Sequence, residues 1–133
     1  MSASAAYLDT SAFLKLVVAE AESAALRRFL LRWPDRTSAS LLRTETIGAL
    51  RRAGYDQHVG HARRLFRTIR LIALDELLLD RAAELDPREL RSLDAIHLAA
   101  AMLVGSDLGA FVTYDQRLAA AAQDVGLPVH SPR

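Results

Sequence analysis

Apolar positions along the chain change their period several times, and the changes mark the elements. AAYL, residues 5–8, is a continuous apolar run and predicts a strand. Helical spacing follows from about Ser11 to Ala19 and again from about Ala21 to Trp33, where Pro34 stops it. RTSAS, residues 36–40, is compatible with a short strand. LLRTETIGALRRAG, residues 41–54, predicts a helix ending at Gly54, and DQHVGHARRLFRTI, residues 56–69, predicts another. RLIAL, residues 70–74, is strand-like, and DELLLDRAAEL, residues 75–85, is a helix that opens on acids and ends before Pro87. RSLDAIHLAAAMLVG, residues 91–105, is a helix apolar on every side. AFVTY, residues 110–114, predicts a strand, DQRLAAAAQDVG a helix closed by Gly126, and LPVHS a last short strand.

Strands that alternate with helices require crossover connections, and these favour a parallel sheet covered by helices on both faces. The predicted fold class is therefore α/β. At 133 residues the chain has the size of one domain with a real core. It shows no repeat with a period of 20–50 residues. Cysteine is absent, which excludes disulfides and thiolate metal sites and is compatible with the cytoplasm. The N-terminal stretch has no basic leading region and Asp9 interrupts its apolar run, so it reads as mature sequence. The apolar run from Leu93 to Val104 is well short of the ~20 residues that span a bilayer, so no membrane partner is expected.

Charge adds a second layer. Between Arg43 and Arg70 seven arginines (Arg43, Arg51, Arg52, Arg63, Arg64, Arg67, Arg70) stand against Glu45 and Asp56, which makes that segment +5. Since the whole chain is +1, the remainder is −4. A solvated helix face and a polyanion-binding surface both fit this pattern, and guanidinium suits bidentate phosphate contacts.

Within the apolar helix, Asp94 and His97 are the only polar residues from Leu93 to Val104. A carboxylate in such surroundings needs hydrogen bonds or an opposite charge, or it stays protonated. Asp94 lies in the first turn, with Ser92 as the expected cap. Two more acids follow strands directly, Asp9 after YL and Asp115 after FVTY, where parallel sheets bind their ligands. Each is equally able to serve as a helix N-cap. Glu45 falls roughly 60° from the middle of an apolar face marked by Leu42, Ala49 and Ala53, at its border, within reach of an i, i+7 contact to Arg52. Four acids in one pocket would repel each other unless a cation sat among them, and oxygen-only ligands select Mg²⁺ or Mn²⁺. A metal held by Asp9 and Asp94 would polarise a phosphodiester and acidify bound water. His97 reads as a residue that supports packing rather than chemistry. His58, His61 and His130 have no partner at metal-ligand spacing, and no HExxH, glycine-rich phosphate loop or GxSxG elbow is present.

Four stretches in this order, YLDTSAF, RTETIGAL, SLDAIHLAAA and VTYDQRL, resemble the PIN-domain proteins, specifically the VapC-type ribonuclease toxins of bacterial toxin–antitoxin pairs. The resemblance spans essentially the whole chain. It implies a PIN-like three-layer sandwich with a central parallel five-stranded sheet, as one domain over residues 1–133. It implies that Asp9, Asp94 and Asp115 hold Mg²⁺ or Mn²⁺, that Glu45 completes the catalytic acidic cluster through water, and that Ser11 and Thr113 orient the carboxylates. It further implies a homodimer, an endoribonuclease acting on transfer or ribosomal RNA to leave a 5′-phosphate and a 3′-hydroxyl, and silencing by a VapB-type antitoxin. Some relatives carry a further acid just after the position of Asp115. Gln116, Arg117 and Leu118 follow here, so a second metal site has less support than the first. Arg43, Arg51, Arg52, Arg63 and Arg64 would then hold the RNA backbone. Two alternatives remain at this stage: a PIN-domain nuclease of RNA processing without an antitoxin, and a non-catalytic nucleic-acid-binding domain in which the acids are caps.

Overall fold

The computed structural model describes residues 3–133. Five strands, β1 (Ala5–Leu8), β2 (Asp35–Ala39), β3 (Arg70–Ile72), β4 (Leu108–Val112) and β5 (Val129–His130), form one sheet in the order β3-β2-β1-β4-β5. Every pairing is parallel. Seven helices make the crossovers: α1 (Thr10–Val17), α2 (Ser23–Leu30), α3 (Leu42–Arg52), α4 (Val59–Phe66), α5 (Glu76–Ala83), α6 (Ser92–Val104) and α7 (Gln116–Asp124). The three-layer α/β sandwich expected from the alternation of strands and helices is the one observed.

Side-chain alternation along the strands sorts the core into two compartments. Ala6 and Leu8 of β1 and Ala110 and Val112 of β4 pack with Phe13, Leu26, Leu42 and Phe66, under α1 to α4. Tyr7 and Phe111, one residue out of step, pack with Leu78, Leu98 and Leu118, under α5 to α7. Each compartment is centred on a stacked aromatic pair, Tyr7 on Phe111 at 5.4 Å and Phe13 on Phe66 at 5.3 Å between centroids. Burying each of these large side chains contributes about 1.5–3 kcal/mol.

Strand order decides where a ligand can enter. From β1 the chain steps outward through β2 to β3, then returns to lay β4 on the other side of β1 and continues to β5. The direction of winding therefore reverses between β1 and β4, and a crevice opens beyond their carboxyl ends. Asp9 follows β1 and Asp115 lies three residues beyond β4, so both stand at this crevice.

Several local expectations shift. β4 begins at Leu108 and ends at Val112, so Thr113 and Tyr114 belong to the turn that carries the site. The stretch 56–69 opens as a 3-10 turn at Asp56–His58 before α4. The buried stripe of α3 runs through Leu42, Thr46 and Leu50, while Ala53 is exposed. A threonine can bury its methyl group, and counting Thr46 as polar is what displaced the expected face; its hydroxyl has no hydrogen-bond partner among the described residues. Ser92 is the first residue of α6 rather than its cap; Arg91 holds the cap position and makes no side-chain cap bond. Gly54 and Gly126 end α3 and α7 with φ of 76° and 84°, the left-handed conformation that favours glycine at helix ends.

The apolar periphery of α6 is explained only in part by the core. Ala95, Leu98, Ala99, Ala100 and Ala101 are buried, but Leu93, Met102 and Leu103 are exposed. The adjoining α5 exposes Leu77 and Leu79, so apolar side chains are left exposed on both of these packed helices. Among the described residues no helix is long and apolar enough to cross a membrane.

Candidate active site

The site is assembled around Asp9. Its backbone leaves β1 in an extended conformation, and its side chain turns to cap α1 by accepting from the Ala12 N–H at 2.9 Å. The same oxygen, Oδ1, accepts from Ser11 Oγ at 2.7 Å, and Oδ2 accepts from Thr113 Oγ1 at 2.6 Å. These two hydroxyls also receive backbone N–H groups from the turn after β4. Tyr114 N–H donates to Ser11 Oγ at 2.9 Å and Asp115 N–H to Thr113 Oγ1 at 3.0 Å. The hydroxyls thus bolt the end of β1 to the start of α7. Asp9 is only 3% exposed, and burial pushes its carboxyl above the usual carboxylate range, against the pull of its hydrogen bonds and of His97.

Asp115 caps α7 through one oxygen, Oδ1, which accepts from the Arg117 and Leu118 N–H groups at 2.9 and 3.1 Å. Its other oxygen accepts no hydrogen bond among the described residues. The capping role expected of Asp9 and Asp115 is real, but it occupies only part of each carboxylate.

Asp94 is half-buried on the first turn of α6, and its side chain makes no hydrogen bond with the chain among the described residues. Partial burial raises its pKa, and the charges of Asp115 and Asp9 raise it further against the pull of His97 and Arg91. Asp94 therefore faces two further carboxylates, with His97 and Arg91 opposing them. No group of three acidic or histidine side chains among the described residues is drawn together tightly enough to enclose an ion. Mg²⁺ keeps several of its waters and takes only one or two carboxylates directly, so it does not require an enclosing group. The all-oxygen donor set points to the same hard cations.

Glu45 joins from α3. Its Oε1 accepts from His97 Nε2 at 2.7 Å and from the hydroxyl of Thr10, which also lies 3.2 Å from His97 Nε2. The contact with Arg52 is not formed; the Arg52 guanidinium folds back over Gly48 on its own helix. His97 is buried, and its Nδ1 faces the Tyr7 hydroxyl at 2.7 Å. The histidine read as packing thus also touches the acidic cluster. Thr10 and Tyr7 went unread in the sequence. Thr10 is flanked by two residues with stronger claims, and Tyr7 is visible only as an aromatic in a buried strand.

The basic segment divides. Arg43, Arg51 and Arg63 line a cleft between α3 and α4 together with Thr44, Ile47, Gly48 and Phe66. The Arg43 guanidinium lies 5.1 Å from the centre of the Phe66 ring. Arg52 and Arg64 instead fold back along their own helices, over Gly48 and Gly60. None of these five arginines is ion-paired to an acid among the described residues.

Acids thus gather beyond the carboxyl ends of β1 and β4, and arginines stand on the adjoining α3 and α4. The PIN domain family model matches residues 6–124. Ribonuclease VapC46 of Mycobacterium tuberculosis is 45% identical over 128 residues, covering 96% of this chain and 98% of that relative. Ribonuclease VapC47 of the same species is 38% identical over 130 residues, covering 95% and 96%. Among solved structures, VapC20 of M. tuberculosis, described as a sarcin–ricin-loop-cleaving toxin, superposes with a TM-score of 0.72 at 21% identity over 87% of this chain and 94% of that one. A toxin–antitoxin complex from Klebsiella pneumoniae gives a TM-score of 0.71 at 22% identity, over 96% and 98%. The chain belongs to the PIN-domain family, and within it groups with the VapC-type ribonucleases.

Proposed function

We propose that this protein is a Mg²⁺-dependent endoribonuclease, with Mn²⁺ able to substitute, and that it acts in the cytoplasm as the toxin of a toxin–antitoxin pair. The observation that carries the reading is Asp94: a half-buried carboxylate on an apolar helix, without a hydrogen bond among the described residues, its pKa raised by burial and then by Asp115 and Asp9 beside it. A fold tolerates like charges gathered this way where a cation is meant to offset them.

In this reading Asp9, Asp94 and Asp115 hold the ion, with Ser11 and Thr113 keeping Asp9 aimed. When bound, the divalent ion supplies neutralisation of phosphate charge and a lowered pKa for water. Glu45, anchored through Oε1, presents Oε2 to the water that attacks phosphorus. Arg43, Arg51 and Arg63 hold the RNA backbone in the α3–α4 cleft, with Arg52 and Arg64 adding to the field around it. The products are a 5′-phosphate and a 3′-hydroxyl.

Transfer or ribosomal RNA is the proposed substrate, supported by the ribonuclease names of the relatives and by the sarcin–ricin-loop activity stated for VapC20. A VapB-type antitoxin is the proposed partner, supported by the toxin–antitoxin complex among the structural neighbours. Homodimerisation is supported by the apolar side chains left exposed on α5 and α6. The test is cleavage of total RNA by the purified chain with Mg²⁺. Cleavage is expected to stop with EDTA and with Asp94→Asn, and activity that survives both refutes the reading.

A further inference from the structure

A chain of contacts runs inward from Glu45 that cluster-forming acids alone do not require. Glu45 Oε1 accepts from two donors, Thr10 Oγ1 and His97 Nε2, whereas Oε2 accepts no hydrogen bond among the described residues. Behind the imidazole, Nδ1 meets the Tyr7 hydroxyl at 2.7 Å, and the Tyr7 ring stands edge-on to His97 at 5.8 Å between centroids. Tyr7 is fully buried, and its ring is in turn stacked on Phe111 in the core.

Donor and acceptor chemistry leaves little freedom in this chain. An ionised carboxylate only accepts, so the nitrogen facing Glu45, Nε2, must carry a proton. In the neutral imidazole Nδ1 is then the acceptor, and it needs a donor. Tyr7 is that donor: its buried hydroxyl stands 2.7 Å from Nδ1. One hydroxyl, set rigidly between the central strand and α6, therefore selects both the tautomer and the ring orientation of His97.

We propose that Tyr7 and His97 are a positioning pair for Glu45, holding it by Oε1 so that Oε2 stays free to take the proton of the attacking water. This rests on the endoribonuclease reading above. The proton passes from water to Oε2, the water oxygen bonds phosphorus as the P–O3′ bond breaks, and the 3′-oxygen takes a proton from solvent. A carboxylate swinging between two hydrogen-bonded poses would meet that water only part of the time, and orientation of this kind is worth a large share of rate. Neither Tyr7 nor His97 touches the substrate in this scheme.

Two measurements on the intact chain test it. In ¹⁵N-labelled protein with EDTA, the imidazole signals lost in His97→Gln identify His97, and its proton is expected on Nε2 with Nδ1 bare; a proton on Nδ1 overturns the proposal. In cleavage of an RNA oligonucleotide with Mg²⁺, His97→Ala is expected to lower kcat by about 10–100-fold, the range seen when a supporting partner of a site residue is lost, with KM nearly unchanged. His97→Gln, whose amide nitrogen can stand in for the Nε2 donor, should recover most of kcat. Tyr7→Phe should fall between them, and both variants should keep the wild-type rise in melting temperature on adding Mg²⁺. If His97→Ala does not fold, His97→Gln and Tyr7→Phe carry the kinetic test. Wild-type kcat in His97→Ala, a His97→Gln variant as slow as His97→Ala, or a loss expressed in KM overturns the proposal. A wild-type chain that cleaves no RNA refutes the endoribonuclease reading instead, and the Nε2 proton measured in the same sample then decides whether the pair exists.

Discussion

Replacing Thr113 by Val tests how the buried carboxylate is stabilised, because the change exchanges a hydroxyl for a methyl of similar shape. Thr113 is fully buried, and its hydroxyl is the sole donor to Asp9 Oδ2 among the described residues, at 2.6 Å. It also accepts the Asp115 N–H at 3.0 Å. Losing a hydrogen bond to a charged group costs about 1.5–3 kcal/mol, and here the buried oxygen left behind can find no replacement in the chain. The expected destabilisation is about 2–3 kcal/mol. With roughly 2.1 cal/mol/K of unfolding entropy per residue, a chain of 133 residues loses about 7–11 °C of Tm. The assay is thermal unfolding in EDTA at several pH values, with Thr113→Ser as the control that keeps the hydroxyl.

The pH dependence has a definite sign. Burial raises the Asp9 carboxyl above its unfolded value, so between those two values the folded state binds more protons and stability rises as pH falls. Removing the Thr113 donor raises the folded value further. The deficit of the variant is therefore full above that value and shrinks as acid protonates Asp9. A Tm within about 2 °C of wild type at every pH tested, or a deficit that grows on acidification, would refute this account of Asp9.

In EDTA, Asp94→Asn should be more stable than wild type near neutral pH, since it removes a partly buried charge repelled by Asp115 and Asp9. The raised carboxyl of the wild type recovers stability as pH falls through its folded value, so the two melting curves should converge in acid; a variant less stable than wild type in EDTA contradicts this. The combined change Arg43→Ala, Arg51→Ala and Arg63→Ala, made on the Asp94→Asn background to prevent cleavage, should flatten the salt dependence of single-stranded RNA binding. Three lost phosphate contacts reduce the log–log slope by about 2, measurable by fluorescence anisotropy, and an unchanged slope removes the α3–α4 cleft from the RNA path.

Local pattern determined a great deal of this protein. The alternation of apolar strands with helices sufficed for a parallel sheet between two helical layers, because a parallel strand can be reached only by a crossover. Asp9 was placed correctly at the end of β1, and both Asp9 and Asp115 as caps of the helices that follow, since cap and helix are neighbours in the chain; Asp115 stands three residues past the end of β4. A buried face moved at Thr46, a polar residue that is nonetheless fully buried in α3, and a boundary moved at Ser92, which enters the helix it was expected to cap.

Tertiary structure alone decided which acids and hydroxyls meet. Thr113 reaches Asp9 across 104 positions of sequence, His97 reaches Glu45 across 52, and Tyr7 reaches His97 across 90. Helical periodicity could put Glu45 at the border of a buried face, but it could not choose between Arg52 on the same helix and His97 on another. That choice depends on the distance between α3 and α6, which the strand order and the packing of two separate cores set together. Asp94 shows the same division: its chemistry on an apolar helix is written in the sequence, and the two carboxylates that repel it are supplied by the fold.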